Sequence, residues 1–518
     1  MHLENNTFDK NEFLELVDKI RRESSVSIEN SKQIELGQYF TNTKIASLMA
    51  SMFNDGRSEI RLLDAGAGVG SLSAAFIAEM CCRGDRPKEI SIVAYEKDPV
   101  LLPYLFKTRD ICNNTCKQLG IKLNWEILNH DFINESITLL EKEKLEGREF
   151  ERFDCAILNP PYRKIHSSSL ERKFLRRISI ETSNLYSAFV ILAIRLLKSN
   201  GELVAITPRS FCNGPYFKSF RKEMLNETTF FQIHTFESRR SIFSDDGVQQ
   251  ENVIFKLIKE KLKNNYNVII SSSFANTDEI VKYTIRYDQF VHPNDKELFI
   301  RILKNDSGYK ISDKIDRLGN SIQDLGISVS TGRVVDFRFK EYLYNQPLHG
   351  TVPLIYPFHF EDGFVKWPKL NSKKADFILQ NDITEKLLLP SGFYVVVKRF
   401  SSKEELKRVV AAIYDPEKVM LSKVGFENHV NFYHIEGEGL TESIAKGLTV
   451  FLNSSLIDSY FRQFNGHTQV NATDLRNLKY PRIEQLEELG KRVGSQLPEQ
   501  YKIDLMINEL FENGECNY

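Results

Sequence analysis

The sequence predicts an α/β protein in two parts, an open and mostly parallel sheet flanked by helices followed by a mixed α+β domain. Between residues 34 and 260, short apolar runs alternate with longer helical patterns, which is typical of parallel strands joined by crossover helices. Between residues 321 and 480 the aromatic residues become dense, and strand-like runs such as 393–397 appear. The length of 518 residues also exceeds that of one ordinary domain.

Seven strands are expected in the first domain, which predicts a Rossmann-like seven-stranded sheet. Each candidate is a short apolar run that precedes a turn or a helical pattern: Ile60–Asp64, Ile90–Glu96, Trp125–Asn129, Cys155–Leu158, Leu203–Thr207, Phe230–Phe236 and Asn252–Ile258. Only a loop separates the last two candidates, so we expect them to form an antiparallel hairpin that closes one edge of the sheet.

The expected organisation along the chain has five segments. They are an N-terminal helix and connector over residues 1–33, the sheet domain over 34–260, a lysine-rich bridging segment over 261–320, the mixed domain over 321–480 and a charged helical tail over 481–518. The sequence contains no internal repeat and no low-complexity tract.

The net charge and the spacing of the cysteines argue against several classes of protein. Seventy acidic and 69 basic residues give a formal net charge of -1, which argues against a uniformly basic nucleic-acid coat and against a disordered acidic chain. The seven cysteines are scattered without a C-x-x-C pair, so we expect neither a disulfide framework nor a metal site. With no secretory signal pattern and no run of about 18 apolar residues, we expect a soluble cytoplasmic protein that spans no membrane.

A glycine-rich loop follows the first strand. In Leu62–Gly70 the glycines Gly66 and Gly68 let the backbone turn tightly and pass close to a ligand. The loop begins with Asp64, where dinucleotide-binding loops usually have glycine, and an acid there suits a cationic ligand better than a pyrophosphate. The next strand ends in Glu96, whose carboxylate can accept hydrogen bonds from both ribose hydroxyls of an adenosine cofactor. S-adenosylmethionine, which carries an ammonium and a sulfonium group, fits this pair of acids.

Two further strand ends carry polar and aromatic residues. After the third strand, Asp131 can accept a hydrogen bond from the amino group of the cofactor's adenine, and Phe132 can pack on its ring. The fourth strand runs straight into the loop Asn159-Pro160-Pro161-Tyr162. Its two prolines fix the backbone and remove N–H donors, so the Asn159 amide oxygen and the Pro160 carbonyl can accept from one exocyclic amino group. Tyr162 supplies a flat face for a planar ring.

This loop answers a definite chemical problem. The amino nitrogen of adenine is a poor nucleophile because its lone pair is delocalised into the ring. Two acceptors that hold its two hydrogens localise that lone pair and stabilise the positive charge that develops as a methyl group arrives, so positioning supplies much of the rate. A cytosine C5 methyltransferase would instead need a nucleophilic cysteine after a proline, and none of the seven cysteines follows a proline.

With these motifs in this order, the sequence resembles the adenine-specific N6 DNA methyltransferases in the TaqI-like gamma arrangement. In that arrangement the cofactor motifs precede the catalytic loop, and a target-recognition domain follows. The resemblance covers residues 34–260 well and residues 320–480 loosely. It implies an S-adenosylmethionine-dependent methyltransferase domain, a C-terminal α+β target-recognition domain, and S-adenosylmethionine as the cofactor.

The resemblance also implies roles for individual residues. The segment Gly37-Gln38-Tyr39-Phe40-Thr41 is similar to the family's first cofactor motif, in which the threonine touches the methionine part. The implied cofactor-binding residues are Thr41, Asp64, Gly66, Gly68, Glu96, Asp131, Phe132 and Asn159, and the implied catalytic residues are Asn159, Pro160, Pro161 and Tyr162. The sequence departs from the family at residues 246–252, which lack the aromatic that often sandwiches the extruded base, and Phe243 is the nearest candidate.

An adenine inside a duplex reaches such a loop only after it is flipped out, and the phosphates must be held meanwhile. Residues 160–240 contain 14 Lys or Arg and six Glu, a net charge of +8, so positive charge gathers in sequence around the catalytic loop. In the later domain the candidate target-base and DNA residues are Arg333, Arg399, His467 and Gln469, which lie in stretches rich in groups that contact base edges or phosphates.

Two alternative functions stay open on the sequence alone. An S-adenosylmethionine-dependent protein glutamine N-methyltransferase faces the same nucleophile problem and uses the same loop, although it would not need the aromatic-rich second domain. A DNA-binding specificity module with an inactive core would not need the intact set of Asp64, Glu96 and the Asn159–Tyr162 loop.

The favoured reading gives the chain a double-stranded DNA partner. We expect a monomer that modifies DNA in a type II-like restriction-modification system, in which any cognate endonuclease is encoded separately. Outside Tyr95-Glu96-Lys97, which the cofactor site uses, the sequence has no convincing nuclease core of the acid-x-lysine type. We therefore expect methylation without cleavage.

Overall fold

The structure, a computed structural model, describes residues 8–27, 41–54, 56–147, 150–236, 251–261, 266–273, 279–293, 295–303, 306–369, 374–401, 405–465 and 469–512. It divides into two units, residues 1–301 and residues 302–518. The division falls within the segment 261–320 that the sequence assigns to a bridge.

The first unit is built on one sheet, which has nine strands among the described residues. Its strands are β1 (Glu59–Ala65), β2 (Glu89–Tyr95), β3 (Lys122–Leu128), β4 (Phe153–Leu158), β5 (Leu197–Pro208), β6 (Thr229–Phe236), β7 (Asn252–Ile258), β8 (Asn267–Ser273) and β9 (Ile280–Arg286). Its helices are α1 (Lys10–Ser27), α2 (Thr43–Ala50), α3 (Ser71–Cys82), α4 (Leu102–Gln118), α5 (Phe132–Glu146), α6 (Leu170–Arg177), α7 (Leu185–Leu196), α8 (Lys218–Glu227) and α9 (Tyr287–Phe290), with 3-10 turns at Arg209–Cys212 and Pro215–Phe217.

The strand order confirms the predicted fold class. The order is β3-β2-β1-β4-β5-β7-β6-β8-β9, with β1 to β5 parallel to one another and β7 antiparallel to both β5 and β6. All seven predicted strands are present. They were visible in the sequence because the central strands are covered by helices and are therefore almost continuously apolar.

The edge of the sheet differs from the prediction. The β6–β7 hairpin forms but does not close the sheet, because β8 pairs in parallel with β6 and β9 pairs with β8. Both additional strands come from the segment 261–320, which the sequence assigns to a bridge. Most side chains of β9 are exposed, and an exposed edge strand with polar residues lacks the apolar pattern by which a strand is recognised.

Helix α3 forms the centre of the layer on one face of the sheet. Its side chains from Leu72 to Ala78 are all buried, and α1, α2 and α4 pack against it. Phe13 of α1, Met49 of α2 and Leu105 of α4 belong to the same hydrophobic core. This layer fixes the N-terminal end of α3, and so the glycine loop that precedes it. Among the described residues, no helix is long and apolar enough to cross a bilayer.

The second unit is of the predicted α+β type and contains two sheets. Over the described residues their orders are β10-β20-β17-β18-β14-β13 and β11-β15-β12-β19-β16. The strands are β10 (Ser328–Thr331), β11 (Leu343–Tyr344), β12 (Thr351–Ile355), β13 (Phe360–Glu361), β14 (Phe364–Val365), β15 (Phe377–Leu379), β16 (Leu388–Pro390), β17 (Tyr394–Lys398), β18 (Ala411–Tyr414), β19 (Lys423–Phe426) and β20 (Val430–His434). The helices are α10 (Asp306–Arg317), α11 (Pro416–Val419), α12 (Glu442–Leu452), α13 (Ser455–Phe464), α14 (Ala472–Arg476), α15 (Ile483–Lys491) and α16 (Gln500–Glu512).

Helices α12 and α15 approach each other unusually closely through two glycines. A Cβ atom on Gly447 of α12 would lie 1.8 Å from the carbonyl oxygen of Leu486, and one on Gly490 of α15 would lie 1.8 Å from that of Ser443. Real Cβ atoms essentially never come that close to another atom, so this contact requires glycine on both helices. The helix of the predicted tail is thereby packed into the second unit.

We expect Gly447→Ala to destabilise the protein. Alanine favours a helix over glycine by about 1 kcal/mol, but at 1.8 Å the added methyl group forces the two helices apart, and such overpacking costs about 1–3 kcal/mol or more. Thermal denaturation followed by circular dichroism should show a lower Tm than the wild type. Gly494→Ala is the matched control, because nothing lies within 4 Å of its added Cβ. A Gly447→Ala protein as stable as this control would contradict the account.

Candidate active site

The strand order of the first sheet reverses at β1. This strand pairs in parallel with β2 on one side and with β4 on the other. Such a switch point opens a crevice at the carboxyl ends of the strands, because the connections on its two sides leave in opposite directions. Asp64 is in register with Ala94 of β2 and with Ile157 of β4. The glycine loop, Glu96 and the Asn159 loop therefore surround one crevice.

The glycine loop is held against the end of β2 by its own backbone. The N–H groups of Gly66 and Ala67 both donate to the carbonyl of Tyr95, at 2.9 Å each. Gly66 has φ +78° and Gly68 has φ +58°, in the left-handed region that side chains other than glycine rarely adopt. The glycines that the sequence singled out are thus needed for the course of this loop.

Glu96 is buried beside the loop, with 4% of its surface exposed. Its Oε2 accepts from the N–H of Gly68 and its Oε1 accepts from the N–H of Asp98, each at 2.7 Å. Burial raises the pKa of Glu96, and these two hydrogen bonds oppose that rise. Since each carboxylate oxygen has a second lone pair, Glu96 can still accept hydrogen bonds from a ligand.

Asp64 lies deeper than the sequence suggested. It is fully buried, its Oδ2 accepts from Ser73 Oγ at 2.6 Å, and its Oδ1 has no hydrogen-bond partner in the part of the chain that the structure describes. Burial is the main reason why the pKa of Asp64 rises to about 7, and the nearby Glu96 adds to it. Asp64 is not among the residues that line the cavity at this crevice. It acts from behind the glycine loop as a buried acid.

Asp131 and Phe132 lie together at the start of α5 and both line the cavity. Asp131 caps this helix by accepting from the N–H of Asn134, and its Oδ2 accepts from Lys97 Nζ at 2.9 Å. The Phe132 ring is buried, with ring centroids 5.3 Å from Tyr95 and 5.0 Å from Phe189. These contacts fix an apolar wall next to an acid, as the sequence predicted for an adenine site.

The Asn159 side chain is oriented by two hydrogen bonds. Its Nδ2 donates to Thr41 Oγ1 at 2.9 Å, and its Oδ1 accepts from the hydroxyl of Tyr162 at 3.2 Å. The structure therefore brings together Thr41 and Asn159, which are 118 positions apart in the chain. Residues 37–40 of the predicted first cofactor motif lie outside the described residues.

Within the catalytic loop, Pro160 is buried and Pro161 lines the cavity beside Asn159. Tyr162 is partly buried, and its hydroxyl lies 3.4 Å from the carbonyl of Ile206. Its ring meets Tyr186 edge-on at 6.3 Å. Tyr162 is thus fixed at its hydroxyl end and along one edge of its ring.

The cavity at the crevice unites most of the predicted residues with several that the sequence did not indicate. Its lining consists of Gly66, Gly68, Tyr95, Glu96, Lys97, Leu101, His130, Asp131, Phe132, Ile133, Asn159, Pro161, Arg163, Glu171, Leu185 and Phe189. Leu185 and Phe189 are four positions apart on α7 and share one face of that helix. Nothing in the sequence of this helix indicates which of its apolar side chains face a ligand.

Three of the candidate DNA residues of the second unit lie on or next to segments that contact the turn Glu427-Asn428-His429. Arg399 donates from its backbone N–H to the carbonyl of His429 at 2.9 Å, and Gln469 forms a bridge with the adjacent Phe400. Arg333 precedes Val334, which pairs with Glu427 of the same turn. Phe243 and His467 lie outside the described residues.

The basic residues around the catalytic loop are mostly paired. The structure describes all of the 14 in residues 160–240 except Arg239 and Arg240, and eight of those described form ion pairs with acids: Arg163, Arg172, Arg176, Arg177, Arg195, Lys198, Arg209 and Lys218. Arg221 is fully buried and donates to three backbone carbonyls. Lys164, Lys173 and Lys222 are exposed. Four of the pairs, those of Arg177, Lys198, Arg209 and Lys218, use acids from outside residues 160–240, which partly neutralise the positive charge expected from the sequence.

Comparison with known proteins complements this geometry. Residues 70–243 match the family model described as Eco57I restriction-modification methylase. The chain is 44% identical to the type II methyltransferase M.PstI of Providencia stuartii, over 95% of this chain and 96% of the relative. It is also 44% identical to the type II methyltransferase M.BsuBI of Bacillus subtilis, over 98% of this chain and 99% of the relative. Among solved structures, the type IIG restriction endonuclease BpuSI is similar at 14% identity and a TM-score of 0.41, covering 91% of this chain and 63% of that one.

The buried acid predicts a dependence of stability on pH. In the folded chain the pKa of Asp64 is raised from 3.8 to about 7, so folding favours the protonated carboxyl. The contribution of the protonated Asp64 carboxyl to the free energy of unfolding is complete below pH 3.8 and is lost as the pH rises towards 7. Asp64→Asn imitates the protonated form. We therefore expect its Tm, measured without ligand, to exceed that of the wild type by an amount that grows between about pH 4 and about pH 7 and then levels off.

Asp110→Asn is the control for this measurement, since Asp110 is an exposed carboxyl on α4 of the same unit. It should show the pH dependence of the wild type. A constant difference in Tm between the Asp64→Asn variant and the wild type over the whole range would show that Asp64 does not titrate there.

Proposed function

This chain belongs to the type II methyltransferases, the family of M.PstI and M.BsuBI, and from that premise we propose that it methylates the N6 amino group of adenine in double-stranded DNA. It is a DNA methyltransferase, and its methyl donor is S-adenosylmethionine. The position of the methyl group and the roles of individual residues are our proposal.

The residues of the crevice suit S-adenosylmethionine. Asp64 Oδ1 is a buried acceptor with no partner among the described residues, which favours a nearby positive charge. Glu96 offers free lone pairs for ribose hydroxyls, and Asp131 with Phe132 offers an acceptor beside an apolar wall for adenine. When bound, the cofactor supplies an electrophilic methyl group. In this proposal Thr41, Asp64, Gly66, Gly68, Glu96, Asp131, Phe132 and Asn159 hold it.

The catalytic work falls to the loop after β4. Asn159 Oδ1 and the Pro160 carbonyl accept the two hydrogens of the target amino group, which localises the lone pair of its nitrogen. The bonds from Asn159 to Thr41 and Tyr162 fix the amide beforehand, so little reorganisation is needed when the base arrives. Pro161 limits the backbone motion of the loop, and the face of Tyr162 supports the ring of the extruded base.

One observation carries this proposal. Asn159 and Pro161 line the same cavity as Glu96 and Phe132. A loop with two hydrogen-bond acceptors for an amino group is therefore adjacent to a site suited to an adenosine cofactor. Methyl transfer in line needs this adjacency and no covalent intermediate on the enzyme.

The proposed function also requires that the protein bind the DNA duplex. Lys164, Lys173 and Lys222 are exposed in the unit that carries the catalytic loop, and they contact phosphates. Arg333, Arg399 and Gln469 in the second unit contact the target site, together with His467, and Phe243 supports the extruded base. We further propose that the enzyme acts as a monomer and that a cognate endonuclease is encoded separately.

Product analysis tests the chemistry directly. Purified protein is incubated with genomic DNA and S-adenosylmethionine labelled in the methyl group, and the DNA is digested to nucleosides and separated by mass spectrometry. We expect the label in N6-methyldeoxyadenosine, at one position of a specific duplex site found by methylation-aware sequencing. Label in N4-methyldeoxycytidine would sink the proposal, since the same two acceptors fit the amino group of cytosine. Label confined to protein glutamine would do the same.

Asn159→Ala removes one of the two acceptors. We expect kcat to fall on the order of 10²- to 10³-fold, the usual cost of one group that stabilises developing charge, while the KM for S-adenosylmethionine changes only a few-fold. Steady-state kinetics with labelled cofactor give both constants. Asn114→Ala, an exposed asparagine on α4, serves as the matched control and should keep the wild-type kcat. An Asn159→Ala enzyme with wild-type kcat would exclude this role for the loop.

A further inference from the structure

The turn Glu427-Asn428-His429 joins the two sheets of the second unit. It connects β19, which belongs to the five-stranded sheet, to β20, which belongs to the six-stranded sheet among the described residues. The N–H of Glu427 donates to the carbonyl of Ile355 at 3.0 Å, and the N–H of Val430 donates back to the carbonyl of Glu427 at 3.0 Å. Both ends of the turn are therefore fixed by strands, and the turn forms a rigid platform.

Segments that are distant in the sequence enclose this platform. Asn428 donates from its N–H to the carbonyl of Val334 at 2.8 Å, and Arg399 Nη1 donates to the carbonyl of Asn428 at 3.0 Å. On Gly332 an added Cβ would lie 2.0 Å from the carbonyl oxygen of Glu427, so this approach requires glycine. The sequence motif around Gly332 and Arg333 is thus explained by its close contact with the turn.

The side chains of the turn are divided between the interior and the surface. The Glu427 side chain is fully buried, whereas 45% of the His429 side chain is exposed. His429 Nδ1 lies 2.6 and 2.8 Å from the two carboxyl oxygens of Glu427, and the His429 backbone N–H donates to Oε2 at 2.8 Å. The Phe400 ring lies 4.9 Å from the imidazole ring at 46°. These contacts hold the imidazole in one orientation.

The proton arrangement of this pair follows from the cost of burying charge. Burial raises the pKa of the Glu427 carboxyl and Asp336 adds to that rise, while the contacts with His429 oppose it. A raised pKa favours a protonated carboxyl, and the geometry suits one, because Oε2 accepts from the backbone N–H of His429 and leaves Oε1, 2.6 Å from Nδ1, to donate. The ring hydrogen then lies on Nε2, and Nε2 has no partner among the residues that the structure describes.

We propose that His429 is a specificity-determining residue whose Nε2–H donates to a hydrogen-bond acceptor on a base edge of the target DNA. This rests on the proposed function. Arg399 contacts the same turn, and Arg333 precedes Val334, which pairs with it, so the position lies near groups that suit a polyanionic duplex. In the major groove the acceptors are N7 and O6 of guanine, N7 of adenine and O4 of thymine. Glu427 is the positioning residue that keeps the proton on Nε2.

A base edge fits this donor better than a phosphate does. Phosphate contacts are usually made by long and mobile lysine or arginine side chains, and they set the register without carrying sequence information. A ring held by a carboxyl, a neighbouring aromatic ring and a strand-anchored turn is preorganised, as discrimination between bases requires. Contact with a phosphate is the competing outcome of the test.

Selection of bound DNA tests the proposal without methyl transfer. Full-length protein is incubated with a pool of random duplexes in the presence of S-adenosylhomocysteine, and the bound fraction is sequenced. We expect His429→Ala to lose its base preference at one base pair of the wild-type target and to bind that target about tenfold more weakly. His349→Ala, an exposed histidine in the same unit, should select the wild-type sequence. Thermal melts confirm that each variant is folded.

The variant Glu427→Gln tests the positioning role of Glu427 and keeps the His429 side chain that contacts the base. A glutamine that accepts from Nδ1–H leaves Nε2 as an acceptor, so the preference at that same base pair should shift towards bases that present a donor. An unchanged sequence with uniformly weaker binding of His429→Ala would overturn the proposal in favour of a phosphate contact. The proposal would also be overturned if His429→Ala selected the same sequence as the wild type, or if the wild type itself selected no sequence. A protein that selects a sequence without forming N6-methyladenine would refute only the proposed function.

Discussion

The parallel pairing of β1 with both β2 and β4 is the constraint on which the site depends. Because these strands run in the same direction, their carboxyl ends meet at one edge of the sheet, and the reversal of strand order keeps that edge open. The register then brings the glycine loop, Glu96 and Asn159 together. In the chain, Glu96 lies 28 residues after Gly68, and Asn159 lies 63 residues after Glu96. A shift of one residue in this register would turn each of these side chains to the opposite face of the sheet.

Two buried acids make this edge electrostatically unusual. Asp64 and Glu96 are both almost inaccessible to water, and each raises the cost of ionising the other. Backbone N–H groups compensate Glu96, but Oδ1 of Asp64 has no hydrogen-bond partner among the described residues. An ionised Asp64 is therefore unfavourable in the free protein. Gly68 has φ +58°, a left-handed conformation that favours glycine, and in this conformation its N–H reaches the Glu96 carboxylate.

Local sequence patterns reveal some features of this structure, and features that depend on tertiary packing leave no such pattern. Strands β1 to β7 were predictable because burial makes them apolar over successive residues, and the candidate site residues were chosen because they lie at or after strand ends. Strand β9 was missed because its side chains are exposed, and Phe189 was missed because every apolar residue of α7 is equally buried. The hydrogen bond from Asn159 to Thr41 and the ion pair of Arg177 with Glu141 depend on tertiary packing, which no local pattern contains.

The ion pairs around the catalytic loop do not remove those arginines from DNA binding. Arg172 and Arg176 share Glu181, whose pKa is lowered to about 2 by the two guanidinium groups, yet the Glu181 and Arg176 side chains are about half exposed. Exposed pairs of this kind contribute little to stability, because solvent screens them. A phosphate can therefore replace the carboxylate at small cost, and it gains from the release of counterions that a protein carboxylate does not hold. A chain with a net charge of -1 can accordingly present a cationic surface to a duplex once its acids are displaced from their arginines.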